Sequence, residues 1–272
     1  MKKLTAILLA MVMMFAMVSC ASADQLSAIK EKGTLVVGSN VSFPPYEFYY
    51  TNPETNTEEY AGFEMSLAQG IADMLGVELV IADQSFAGLI TALRAGEIDM
   101  IISGMSIRPD RLEVVDFSTP YYCGTQVMMI RAEDADTLKT VEDMTGKKVG
   151  AQMGSLQAGI LEEQFVNSEQ LVMDQIPLMT LDLLQGNLDG LLLTELVAKT
   201  YITLNPDKLV VAEVPVVYDG SAGIGVAVAK GDNEALLAEV NAYIESVLAD
   251  GTFDSWMDTA IAQNASLLET AE

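Results

Sequence analysis

Residues 99–118, DMIISGMSIRPDRLEVVDFS, decide how the rest of the chain is read. Met100, Ile101 and Ile102 form a short apolar run with β-branched residues, which favours a strand buried on both faces, as in a parallel sheet. Ser103, Gly104 and Ser106 end the run with small polar residues. Arg108, Pro109, Asp110 and Arg111 follow, and a proline there fits the first turn of a helix. A buried strand thus opens into a loop that carries hydroxyls, backbone groups and an arginine. In open α/β sheets, ligands bind beyond the carboxyl ends of the strands. A guanidinium placed there can hold a carboxylate through two parallel hydrogen bonds. The competing reading of Arg111 is a surface arginine paired with Asp110 or Glu113.

Upstream, 34–38 (TLVVG) reads as a strand and 61–76 as an amphipathic helix, with Phe63, Leu67, Ile71, Met74 and Leu75 at three- and four-residue steps. A second strand is predicted over 77–82, and Phe86 begins a helical segment that runs to Gly96. This βαβα alternation predicts a parallel sheet with helices on both faces. Residues 49–60 read as polar, with a turn near Asn52-Pro53.

Downstream, strands are predicted over 126–131, 149–153, 188–193, 208–217 and 226–229. Helices are predicted from Ser155 to Phe165, over 180–184, within 194–201 and over 233–250, with Phe253 and Trp256 on a last helix. The polar and glycine residues near 124 mark a first crossing into a second lobe. The glycine-rich YDGSAGIG of 218–225 marks the return. The expected fold class is α/β with two lobes and a cleft between them. Lobe one comprises 30–124 and 220–265, lobe two comprises 125–219, and 266–272 is a loose tail. A chain that crosses twice makes a double hinge, over which two lobes can close.

Half of the 272 residues are hydrophobic, which argues against intrinsic disorder. Lysine and arginine total 14 against 39 acidic residues, a net charge of −25 without the basic footprint that nucleic acid requires. There is no histidine, so Ser-His-Asp and Cys-His catalysis and imidazole metal sites are excluded. Residues 1–19 read as a signal peptide: Lys2 and Lys3 precede an apolar run too short for a comfortable membrane span. Met17-Val18-Ser19-Cys20 resembles a lipoprotein cleavage box. In that reading Cys20 becomes the lipidated first residue, 20–29 is a tether, and the protein is held at the outer face of the cytoplasmic membrane. Cys123, the other cysteine, then lacks a disulfide partner and is expected as a small apolar filler.

The pattern D-x-I-I-S-x-x-S-I-x-x-x-R, ending in FS near a Tyr-Tyr pair, resembles the family 3 extracellular solute-binding proteins, the polar amino-acid receptors of ABC importers. The resemblance continues through GTLVVGSNVSFPPYEF, GFEMSLAQGIADMLG, SFAGLITALRAGEIDM, GKKVGAQMGSLQAG, NLDGLLL and GIGVAVAKGD. It covers nearly everything after residue 30. It implies a periplasmic-binding-protein type II fold and a receptor that hands an amino acid or small carboxylate to a permease, with no catalysis and no cofactor or metal. It also implies that Arg111 grips a carboxylate, that Ser106 and the Gly104 backbone assist, and that Phe43 and Phe86 sandwich the ligand. Asn40 stands where the family reads the ligand side chain. Ser155 caps its helix or lends the first-turn amides to a carboxylate; both readings remain open.

Two positions depart from the family pattern. Leu156 stands at the threonine position and Thr194 at the aspartate position, and Glu195 would have to turn in to serve an ammonium group. The alternatives are a dehydratase-like lyase on the same fold, with Glu195 or Glu47 as its acid, and a sensor that docks on a membrane receptor.

Overall fold

The computed structural model describes residues 24–53, 55–218 and 223–269; residues 1–19 and Cys20 lie outside them, as does the expected boundary at 219/220. Two five-stranded sheets form the framework. The first holds β1 (Thr34–Ser39), β4 (Glu78–Asp83), β5 (Met100–Ile101), β6 (Val115–Phe117) and β12 (Ala227–Ala229), in the order β4-β1-β5-β12-β6. The second holds β7 (Gln126–Arg131), β8 (Lys148–Gln152), β9 (Glu169–Met173), β10 (Gly190–Thr194) and β11 (Leu209–Val211), in the order β11-β7-β10-β8-β9. Consecutive strands β1 to β6 skip only the hairpin β2 (Phe48–Thr51) and β3 (Glu58–Ala61), which forms its own small sheet.

Strand burial follows from composition. The GLLLT of β10 is buried at all five positions, and Met100 and Ile101 of β5 are wholly enclosed. Each central strand is therefore covered on both faces. The helix α2 (Phe63–Leu75) presents Phe63, Leu67, Ile71 and Leu75 to the core at helical spacing. Between β4 and β5 lies α3 (Leu89–Ala95).

The expected parallel sheet is correct for β4, β1 and β5. It needs correction at β12, which is antiparallel to both β5 and β6. That strand returns from the second sheet without a helical crossover, so nothing forces it parallel. Several elements differ from expectation for local reasons. Residues 48–61 pair as a hairpin through Tyr49 and Tyr60, although their polarity suggested a loop. Helix α6 (Ile176–Leu184) starts four residues early, because Pro177 fits its first turn. The strand expected over 208–217 shrinks to β11.

Neither chain end behaves as a loose segment where it is described. Helix α1 (Gln25–Lys32) occupies the second half of the expected tether, capped by Asp24 and tied by Gln25 Nε2 to the carbonyls of Ala229 (2.8 Å) and Gly231 (2.7 Å). The last helix, α9 (Thr252–Glu269), runs into the expected tail, following α8 (Glu234–Ala249). Cys123 is exposed, so it fills no core.

Both passages between the sheets run side by side. The Ile224 amide donates to the Tyr122 carbonyl at 2.7 Å, and the Tyr121 amide to the Ile224 carbonyl at 3.0 Å. Gly223 has φ +67°, and a side chain there would meet Cys123 Sγ and Pro120 Cβ at 2.8 Å. Only glycine suits both the backbone angle and the space.

Candidate functional site

The carboxyl ends of β1 and β5 face those of β8 and β10 across a small pocket of about 20 Å³. Asn40, Phe43, Phe86, Gly104, Ser106, Ser155, Leu156 and Thr194, all expected from sequence, line it together with Glu47, Ser103, Gln152 and Gln157. Phe43 is held on the Pro44-Pro45 loop against Tyr46, ring centres 4.7 Å apart, and its ring lies so near Gly104 that a Cβ there would meet it at 2.9 Å. Phe86 sits on a 3₁₀ turn, Phe86–Gly88, on the way into α3.

Arg111 lies on the short helix α4 (Pro109–Leu112) and does not itself line the pocket. It stands immediately behind it. Its guanidinium carbon is 5.6 Å from the Phe86 ring centre, and Nη1 donates to the Ser106 carbonyl at 2.7 Å. Nη2 reaches across to the Gly154 carbonyl at 2.9 Å. The surface-pair reading fails, because Arg111 is 4% exposed and Asp110 pairs with Arg108 at 2.9 Å. Among the described residues no carboxylate neutralises Arg111, and three of its five N–H donors have no partner. Burial, with the nearby charge of Arg108, brings its pKa down to about 10, and Asp110 offsets this in part.

Glu195 does not turn in. As the first residue of α7 (Glu195–Leu204) it points outward, with its carboxylate 2.6 Å from Lys199 one helical turn later. Thr194 ends β10 fully inside, and its hydroxyl lies near that of Tyr46, yet neither oxygen meets hydrogen-bond geometry. Ser155 caps α5 (Leu156–Gln164) by accepting from the Ala158 amide at 3.1 Å, so its hydroxyl is already engaged. The Gly104 amide is engaged as well: it donates to both oxygens of Glu64, at 3.0 and 2.8 Å. That N–H is therefore not open to a ligand.

Sequence reading named Glu47 only as the acid of an alternative lyase and missed its pairing with Glu64 at the pocket. Glu47 is 1% exposed and accepts from the Ser103 hydroxyl at 2.9 Å. Glu64 is fully buried and accepts from the Tyr121 hydroxyl at 2.7 Å besides Gly104. Burial raises both carboxyls above their usual range, and for Glu47 the neighbouring Glu64 raises it further. Two adjacent buried carboxyls cannot both ionise cheaply, so the pair keeps one proton. A signal was present in the sequence: Glu64 stands three, four, seven and eleven residues before Leu67, Ala68, Ile71 and Leu75, on the apolar stripe itself.

Contacts across the pocket join the two sheets. Gln152 Nε2 donates to Asn40 Oδ1 at 3.0 Å, and Arg108 Nη1 to the Ser155 carbonyl at 3.2 Å. Arg108, outside the expected site, is thus one of the bridging residues.

A model of bacterial extracellular solute-binding proteins, family 3, matches residues 35–262. The L-cystine-binding protein TcyJ of Escherichia coli K12 is 32% identical over 237 residues, covering 87% of this chain and 86% of that protein. An amino acid ABC transporter substrate-binding protein, AbpA from Streptococcus pneumoniae, solved with L-arginine, superposes with a TM-score of 0.83 at 32% identity over 88% of this chain and 98% of that one. The ancestral amino-acid-binding protein AncCDT-1, a precursor of cyclohexadienyl dehydratase, superposes with a TM-score of 0.77 at 28% identity over 87% and 99%. The two-lobed fold is that of the periplasmic-binding proteins of type II, and the chain belongs to the bacterial extracellular solute-binding proteins, family 3.

Proposed function

We propose that the protein is the receptor of an ABC importer, closing its lobes over an amino acid or a similar small carboxylate and handing it to permease subunits. The observation that carries this reading is Arg111: a buried guanidinium with no carboxylate partner among the described residues, standing immediately behind the pocket between the sheets. A ligand carboxylate supplies the missing charge, with Phe43 and Phe86 covering its apolar part. Sheet membership supports lobes of 30–124 with 220–265 and of 125–219. The relatives named above that bind cystine and arginine support an amino acid as the ligand class. A thermal-shift screen over amino acids and small organic acids tests this, since a ligand bound only by the folded state raises the melting temperature by mass action. One class should raise it by several degrees. A screen with no riser would overturn the reading.

A catalytic role finds little support in the geometry. Glu195 is a surface residue in an ion pair, and Glu47, in the pocket wall but 1% exposed, is engaged by the Ser103 hydroxyl and by Glu64. Incubation with prephenate should yield no phenylpyruvate. Membrane attachment through lipid on Cys20, with 1–19 as its signal peptide, completes the proposal. The Cys20→Ala protein should move from the membrane fraction to the soluble one; retention at wild-type strength would overturn the anchor.

A further inference from the structure

Two carboxyls meet at the wall of the pocket. Glu47 Oε1 accepts from the Ser103 hydroxyl at 2.9 Å, and the Ser103 oxygen accepts in turn from the Asn40 amide at 2.9 Å. Glu47 Oε2 is buried and meets no N–H and no hydroxyl among the described residues. Glu64 accepts the Gly104 amide through both oxygens and the Tyr121 hydroxyl at 2.7 Å. Glu47 and Glu64 are hydrogen-bonded to each other. Ionised carboxylates only accept, so a bond between two carboxyls exists only while a proton stands between them.

That proton joins parts of lobe one that are distant in sequence. Glu47 follows the Pro44-Pro45 loop, and Glu64 stands in the first turn of α2. Ser103 and Gly104 form the loop at the end of β5, and Tyr121 belongs to the crossing, with its amide on the Ile224 carbonyl. The other titratable groups that face the pair are Tyr46, Tyr121 and Asp83. Burial pushes both tyrosines above their usual range, and Asp83 adds negative charge, so none of the three relieves a doubly ionised pair. Loss of the proton removes the carboxyl–carboxyl bond and leaves two like charges side by side out of water.

We propose that Glu47 and Glu64, joined by one shared proton, are positioning residues that fix the 103–104 loop of the pocket to the lobe crossing, and that this tie weakens as pH rises. The sign follows from proton counting. In the unfolded chain both carboxyls ionise at about 4.3. The folded pair holds its proton well above that value, so over the intervening range the folded state binds one proton more than the unfolded. Each pH unit then costs about tenfold in the folding equilibrium constant. The chain has no histidine, so no imidazole titrates between about pH 6 and 8 to mask the slope. The tie is internal to lobe one and does not depend on what the pocket holds.

The test is urea unfolding of the full chain without ligand, at steps across that pH range, together with hydrogen exchange at the Gly104 amide. The wild-type folding constant should fall about tenfold per pH unit, and the protection of Gly104, corrected for intrinsic exchange, should fall with it. In Glu47→Gln the carboxamide donates permanently to Glu64, so both slopes should flatten. Glu64→Gln should do the same from the other side, with its amide oxygen still accepting from Gly104 and Tyr121, and it serves as the second variant should Glu47→Gln fold poorly. The Cys123 thiol and the terminal amine are common to all three proteins, so the difference between their curves reports the pair alone. A merely structural role would shift stability equally at every pH. A flat wild-type curve, or a slope that survives in the glutamine variants, would overturn the shared proton. A stability slope without any change at Gly104 would overturn the positioning role. None of these results bears on the receptor reading, which stands or falls with the ligand screen.

Discussion

Arg111→Ala should leave the ligand-free protein at least as stable as wild type and abolish the ligand-induced rise in melting temperature. The two expectations share one cause. A guanidinium that is 4% exposed and paired only with carbonyls is a cost the fold carries before any ligand arrives. Its lowered pKa expresses the same penalty. Removing the side chain removes that penalty; the Ser106 and Gly154 carbonyls lose a donor and the Phe86 ring loses the cation over it. A ligand carboxylate in the variant is buried without its cation, at an expected loss on the order of 2–5 kcal/mol in binding. Arg111→Lys should recover little, because an ammonium lacks the planar two-point geometry. Arg108 is no neutral control, since it bridges to Ser155. Arg94, exposed at the end of α3, is a better one, and Arg94→Ala should bind normally. Undiminished affinity in Arg111→Ala, measured by calorimetry, would place the carboxylate elsewhere.

The second large effect is expected at Gly154. This residue has φ +76°, and a Cβ built on it lies 3.3 Å from both Cα and Cβ of Ala87, on the opposite side of the pocket. The left-handed angle alone costs a non-glycine residue about 1–2 kcal/mol, in either lobe arrangement. The contact with Ala87 is different, because it exists only when the lobes are together. Ala87 belongs to the Phe86–Gly88 turn and presents backbone, which cannot swing aside as a flexible side chain can. Gly154→Val should therefore wedge the lobes apart, and Gly154→Ala should do so more weakly. Ligand affinity should fall roughly tenfold or more for the valine variant, following the shift in population toward the open form. Small-angle scattering with saturating ligand should show a larger radius of gyration than wild type. Equal radii and equal affinities would show that Ala87 yields without cost.

Much of this site was legible because its elements are local. The run Met100-Ile101-Ile102 followed by small polar residues has no better reading than a buried strand ending in a loop, and eight pocket-lining residues came from that logic and the family resemblance. What escaped reading depends on distant partners. Glu47 reads as a lone candidate acid and Glu64 as an acidic residue on an apolar stripe, and their pairing shows only when Ser103, Gly104 and Tyr121 are seen to enclose them. Arg108 reads as a solvated arginine until Ser155 arrives from the other sheet. Strand β6 spans three residues, too few to show alternation, and exists because β12 returns beside it. The direction of β12 is likewise a property of the path through the second sheet.

The paired crossings at Tyr122 and Ile224 carry one further consequence. Two independent strands would let one lobe twist as well as bend relative to the other, like a ball in a socket. Strands tied to one another by the Ile224 and Tyr121 amides form a ribbon, which resists twisting and shear far better than bending across its flat face. Lobes that close as proposed above would swing on this ribbon as a door does, along a single arc. Each such closure would end at the same mutual orientation, whatever fills the pocket. A permease that touches both lobes at once can thus distinguish a loaded receptor from an empty one by angle alone.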